Sequence, residues 1–159
     1  MYIRQAEKQD LPAILSLYAD ARKFMAEQGN PSQWGGGYPS PALINADLIL
    51  KRNYVCEEDG EILAVFVYAT GEEPTYREID GAWLNDAPYG FVHRIASKGG
   101  RGAGMFSLSW CLVQCGNLRI DTHADNVPMQ NLLKKMGFRQ CGIIHLQNGD
   151  LRIAFQKTL

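Results

Sequence analysis

Lys98-Gly99-Gly100-Arg101-Gly102-Ala103-Gly104 decides the reading of this chain. Before it, Tyr89 to Ser97 alternates as a strand; after it, Met105, Leu108, Leu112 and Cys115 recur at helical spacing. Four glycines and one alanine in seven residues leave a strand-to-helix loop almost bare of side chains. The first turn of the helix adds N–H groups without intrahelical partners and a partial positive charge. Together these form a cradle for a phosphate or pyrophosphate, with more glycine than a tight turn needs.

Working outward, Tyr2-Ile3-Arg4 reads as a short strand, and Asp10 as the cap of a helix carrying Leu11, Ile14, Leu15, Tyr18, Ala21 and Met25 on one stripe. Gly29-Asn30-Pro31 ends that helix, the loop Gln33 to Pro39 follows, and Pro41 to Leu50 is a second short helix. Asn53 to Glu57 and Glu61 to Thr70 flank Glu58-Asp59-Gly60, the strongest hairpin signal in the chain. Gly71 to Pro88 is irregular. Beyond the glycine loop and its helix come a strand at Leu118-Arg119-Ile120-Asp121, a helix opened by Asn126 and closed by Gly137, and two strands turning at Asn148-Gly149. No repeat or linker divides the 159 residues, which read as one domain spanning 1–159.

The chain is 46% hydrophobic with a formal charge of −1, which suits a globular core and argues against a nucleic-acid partner needing a broad basic face. Its longest apolar run, Ile62 to Ala69, is too short for a membrane span, and the N-terminal residues form no apolar signal region, so a cytoplasmic location is expected. Cys56, Cys111, Cys115 and Cys141 contain no Cys-x-x-Cys pair, so neither a disulfide framework nor a metal site is expected.

Three kinds of phosphate loop can be compared with Gly99 to Gly104. A nucleotide-triphosphate loop fails, because Met105 and Phe106 stand where a lysine and a hydroxyl are needed. A dinucleotide fingerprint is closer: Gly102 and Gly104 give Gly-x-Gly and Asp121 ends the next strand, but Ser107 replaces the third glycine. That reading, a small dinucleotide-binding protein, stays open as an alternative.

The third fits over nearly the whole chain. Arg101-Gly102-Ala103-Gly104 resembles the coenzyme A loop of the GCN5-related N-acetyltransferase (GNAT) family, and the segment Asp121 to Asn126 with a helix ending Lys135-Met136-Gly137-Phe138 resembles its second signature. Two departures stand out: Phe106 replaces the last small residue of the loop, and Leu133 occupies the position where many members carry a general-acid tyrosine. The resemblance implies an α/β fold: a mixed, mostly antiparallel sheet of six to seven strands, flanked by about four helices and splayed on either side of the loop's helix. It also implies transfer of an acetyl group from acetyl-CoA to a primary amine, of a small molecule or a peptide N-terminus, by direct attack in a ternary complex.

On that resemblance the cosubstrate is held by Ile95, Ala96, Ser97, Gly99, Gly100, Arg101, Gly102, Ala103, Gly104, Met105 and Asn126, with the Ile95 amide as oxyanion donor. His93, in alternation with Phe91 and Ile95, is the candidate base, since histidine accepts a proton near neutral pH. Arg94 is read as an ion-pair partner on the opposite face. Trp34, Tyr76, Trp83 and His93 are expected around the acceptor, and Glu72, Glu73, Glu78, Asp80 and Asp86 as a mostly solvated acidic run. No metal is expected. A homodimer is compatible with exposed strand edges, although no residue pattern demands one. A non-catalytic acyl-CoA-binding module of the same fold remains the other alternative, kept open by Leu133.

Overall fold

Between Glu61 and Thr70 apolar residues fall on both parities, as expected of a strand covered on both faces, and this strand lies inside the sheet with Leu63 to Tyr68 all buried. The structure, a computed structural model, describes residues 1–159. Its strands are β1 (Tyr2–Gln5), β2 (Asn53–Glu58), β3 (Glu61–Thr70), β4 (Asp80–Gly81), β5 (Gly90–Ser97), β6 (Asn117–Thr122), β7 (Arg139–His145) and β8 (Leu151–Thr158). Its helices are α1 (Leu11–Glu27), α2 (Pro41–Ile49), α3 (Ala103–Cys115) and α4 (Val127–Lys135).

The eight strands form one sheet in the order β1-β2-β3-β5-β6-β8-β7-β4, antiparallel throughout except for the β5–β6 pair. One face packs against α1 and α2, through Ile14, Leu17, Tyr18 and Ile44 on Val55 and Val65. The other packs against α3 and α4, through Leu108, Leu112 and Leu133 on Phe66, Val92, Leu118 and Phe155. The connection before β5 covers the rest of the first face, where Tyr76 meets Phe91, Ile144 and Ala154.

The sheet has one strand more than the six to seven expected, because the irregular segment contributes β4. Its two residues pair with Gly142 and Ile143 on the edge of β7. Contact is close enough that a Cβ on Gly81 would lie 2.2 Å from the Cys141 carbonyl oxygen, so this pairing depends on glycine. Asp10 also differs from expectation. It makes no cap hydrogen bond to α1; Arg4 donates to both its oxygens at 2.7 and 2.9 Å, tying β1 to the start of the helix.

Two irregularities of β5 place the site. Its pairing with β6 stops at Val92–Ile120, although both strands run on, to Ser97 and Thr122, so the sheet splays open from His93 onward. On the β3 side, Val67 pairs with His93 and Val65 with Ala96, so Arg94 and Ile95 together oppose the single residue Phe66. Arg94, the extra residue of this bulge, has φ of 51°. A bulge resets a strand's alternation. His93 therefore stays on the α1/α2 side with Phe91, while Ile95 packs into the α3/α4 cluster. This corrects the expectation that His93 and Ile95 share a face, and Arg94 reaches toward α2 from the same side as His93.

Left-handed backbone at a non-glycine residue costs about 1–3 kcal/mol and needs outside support. Asp47 of α2 supplies it, accepting from the Arg94 guanidinium at 2.8, 2.8 and 3.1 Å, while the Tyr18 hydroxyl donates to the Arg94 carbonyl at 2.8 Å. Burial works against the Arg94 charge, but Tyr38 and Asp47 outweigh it and hold its pKa above the ordinary value.

Candidate active site

The glycine loop leaves β5 and enters α3 with Gly100 and Gly102 at φ of 76° and 73°, a backbone that side chains at these positions would strain. The N–H groups from Gly99 through Met105 make no hydrogen bond within the protein; the Phe106 N–H is the first to close the helix, onto the Gly102 carbonyl at 3.0 Å. Seven consecutive free donors at a helix N-terminus form an anion cradle. The Arg101 side chain turns away from it, donating to Glu58 at 2.9 Å, and Lys98 pairs with Glu61. Both ties fasten the loop to the β2–β3 turn. Ala103 and Gly104 are buried, and a Cβ on Gly104 would stand 3.1 Å from the Ser97 hydroxyl.

The splay widens into a cavity of about 600 Å³, lined by β5 as far as Ile95 and by no residue of the loop. His93, Ile95, Asp121 and Asn126 line it from the sheet and the start of α4, and Trp34 and Tyr38 from the loop after α1. The Asn126 side chain caps α4, accepting from the Met129 N–H at 3.2 Å, and donates to Gln33 at 3.0 Å.

His93 is held between two carboxylates. Its Nε2 lies 2.9 Å from Glu73 Oε2, and its Nδ1 lies 3.9 Å from Asp121 Oδ2. Asp121 Oδ2 also accepts from the Tyr76 hydroxyl at 2.6 Å, and Glu73 accepts from the Thr75 N–H and hydroxyl at 3.2 and 3.0 Å. Burial favours the neutral form of Glu73, but His93 and the Thr75 donors outweigh it and bring its pKa down to about 2. Glu73 is thus ionised at neutral pH and can accept the Nε2–H of His93; in the tautomer protonated there, Nδ1 is the nitrogen left to accept a proton. Burial and the Asp121 charge push the Tyr76 hydroxyl well above its ordinary pKa, so it stays a donor.

No family model and no curated protein matches the chain. Among solved structures, a GNAT-family acetyltransferase from Streptococcus agalactiae is 32% identical, with 99% of this chain and 95% of that one aligned at a TM-score of 0.91. This chain belongs to the GNAT family. Two further comparisons show the fold alone. A ribosomal-protein-alanine N-acetyltransferase from Brucella melitensis is 22% identical over 100% of both chains at a TM-score of 0.64. The NatC complex bound to a Gag peptide and CoA is 12% identical over 99% of this chain and 98% of that one, at 0.59.

Against the GNAT expectation, Leu133 is fully buried in the α3/α4 core and offers no acid. Of the three aromatics expected around the acceptor, Trp34 lines the main cavity, packed edge-on to Tyr18. Tyr76 and Trp83 do not line it; they pack against each other with their rings tilted by 51° and border a second cavity of about 440 Å³ with Tyr89 and Arg119. Both anchor the covering loop, because the Trp83 indole N–H is spent on the Tyr76 carbonyl at 2.9 Å and the Tyr76 hydroxyl on Asp121. The acidic run divides: Glu73 turns inward, whereas Glu72 pairs with Arg77 at the surface. Nothing local in the sequence separates these two neighbours. Arg152, also at the cavity, lies just past the Asn148-Gly149 turn, where nothing local in the sequence marks it as a cavity residue.

Proposed function

We propose that this acetyltransferase takes its acetyl group from acetyl-CoA and transfers it to a primary amine by direct attack in a ternary complex. The observation that carries this reading is the run of free amides from Gly99 to Met105 at the end of β5, the strand whose splay from β6 opens a cavity that holds His93 between two carboxylates. The amides fit a pyrophosphate, and the adjoining splay offers an unpaired strand edge for an extended carrier arm. When bound, acetyl-CoA supplies a thioester carbonyl. The chain's own groups do the rest.

Glu73 and Asp121 attract the ammonium form of the acceptor, and His93 Nδ1 accepts its proton, leaving a neutral amine to attack. The Ile95 amide, just past the bulge, donates to the oxygen on which charge develops. The bond to sulfur then breaks, and the attacking nitrogen gives up its second proton, which reaches the departing thiolate through water, since Leu133 provides none.

Calorimetric titration with acetyl-CoA, with NADH in parallel, tests the cradle: binding of acetyl-CoA alone is expected, and binding of NADH alone overturns it. His93→Ala is expected to lower turnover far more than it weakens acetyl-CoA binding; full turnover at saturating amine rules His93 out as the base. The buried Leu133 favours a second reading, a module that binds acyl-CoA without transfer. Thiol release across an amine panel separates the two.

A further inference from the structure

Three arginines line the main cavity, and they differ in what neutralises them. Arg94 is paired with Asp47, and Arg52 is exposed to solvent. Arg152 is only 7% exposed, has no carboxylate within ion-pairing distance, and makes one side-chain hydrogen bond, from Nη1 to the neighbouring Leu151 carbonyl at 2.9 Å. Buried arginines are nearly always paired, because an uncompensated buried charge is costly.

The sheet register says where this cation faces. Asp121 on β6 pairs with Ala154 on β8, and Arg152 lies two residues further along β8, on the same face. Diagonal neighbours of this kind sit about 7–8 Å apart. The face is that of Phe91 and His93, away from α3 and α4, and so away from the amide cradle. A line across the cavity thus runs from the negative cluster of Glu73 and Asp121 around His93 to a single buried guanidinium without a carboxylate partner.

We infer that the acceptor is an amine that also carries a carboxylate within a few bonds of the reacting nitrogen, its ammonium held by the Glu73–His93–Asp121 cluster and its carboxylate by Arg152. This rests on the proposed acetyl transfer. A guanidinium with free N–H groups matches a carboxylate bidentately, and the bound anion supplies the counter-charge that the protein omits. Two sources share this chemistry: a free amino acid, and a peptide whose first or second residue is aspartate or glutamate.

The experiment is a thiol-release assay with acetyl-CoA on the proteinogenic amino acids, each beside its carboxamide, and on dipeptides with and without an acidic residue. An unspecific site prefers the carboxamides, whose less basic amine is more often neutral. The inference expects the reverse, a carboxylate-bearing amine favoured by roughly tenfold or more in kcat/KM. Its advantage should collapse in Arg152→Gln and return in part in Arg152→Lys. The dipeptide arm shows which source is used. Transfer to amines with no advantage for the carboxylate overturns the inference and leaves acetyl transfer standing, as does an advantage that survives in Arg152→Gln. Should Arg152→Gln fail to fold, the wild-type comparison of acid with carboxamide decides alone. Absence both of thiol release and of acetyl-CoA binding overturns the underlying reading instead, and the inference with it.

Discussion

Replacing Asp47 by alanine removes the support of the β5 bulge. The carboxylate is 8% exposed and the Arg94 side chain 15%, so the variant strands a largely buried guanidinium whose remaining contact is the Tyr38 hydroxyl at 3.3 Å. Breaking a buried pair from one side costs about 3–5 kcal/mol, and the slight exposure of Arg94 argues for ~3 kcal/mol. At about 2–4 °C per kcal/mol for a chain of this size, the melting temperature should fall by ~6–12 °C. The decisive comparison is the double variant Asp47→Ala with Arg94→Gly. Glycine adopts the φ of 51° without strain, and no charge is left unpaired. The double variant should therefore recover about 1–2 kcal/mol over Asp47→Ala, despite the volume it loses. Urea unfolding at constant m-value measures both. Turnover supplies a second readout, because in the proposed function the Ile95 amide, next to the bulge, is the oxyanion donor. Asp47→Ala should lose roughly tenfold in kcat while acetyl-CoA affinity moves by less than about threefold. A double variant no more stable than Asp47→Ala refutes the claim that the pair holds a strained backbone.

Gly99→Asp should keep the fold, since Gly99 is not in the left-handed region and a Cβ there meets open space, yet its carboxylate competes for the free amides. Acetyl-CoA binding is expected to weaken by about thirtyfold or more in calorimetry, with little change in melting temperature. Glu73 lies far below its ordinary value of 4.5, so its stabilisation is complete above about pH 4.5 and is lost as pH falls toward about 2. The stability gap between wild type and Glu73→Gln should be about 1–2 kcal/mol at pH 6, after allowing for solvent screening, and should narrow between pH 4.5 and 3 in urea titrations. A gap independent of pH contradicts this. Tyr76→Phe removes the 2.6 Å donor to Asp121. It should cost about 1–2 kcal/mol of stability and raise KM for the amine without changing acetyl-CoA affinity.

The frame of the molecule was legible because it rests on local patterns. Ser40 before Pro41 and Asn126 before Val127 cap their helices, and Asp59 and Gly60 take left-handed φ of 51° and 78° in the hairpin turn. The glycine loop was legible for the same reason. The bulge was not: Phe91 to Ser97 alternates with no glycine or proline to mark the extra residue, and its support, Asp47, lies 47 positions away. Glu73 acquires its role only when the covering loop folds back onto His93, and β4 exists only because Gly81 meets Gly142 across the sheet edge. In each case the deciding contact joins residues that are distant along the chain.

The extra residue in β5 also bears on how such a protein can diversify. On the proposed function, Phe91 and His93 before Arg94 face the amine and Ile95 after it faces the acyl carrier, so one eight-residue strand is read in two frames. Changes at Phe91 and His93 can retune the choice of amine while Ile95 to Ser97 remain as they are. New acceptors can thus be explored by drift upstream of the offset, with the donor machinery inherited intact.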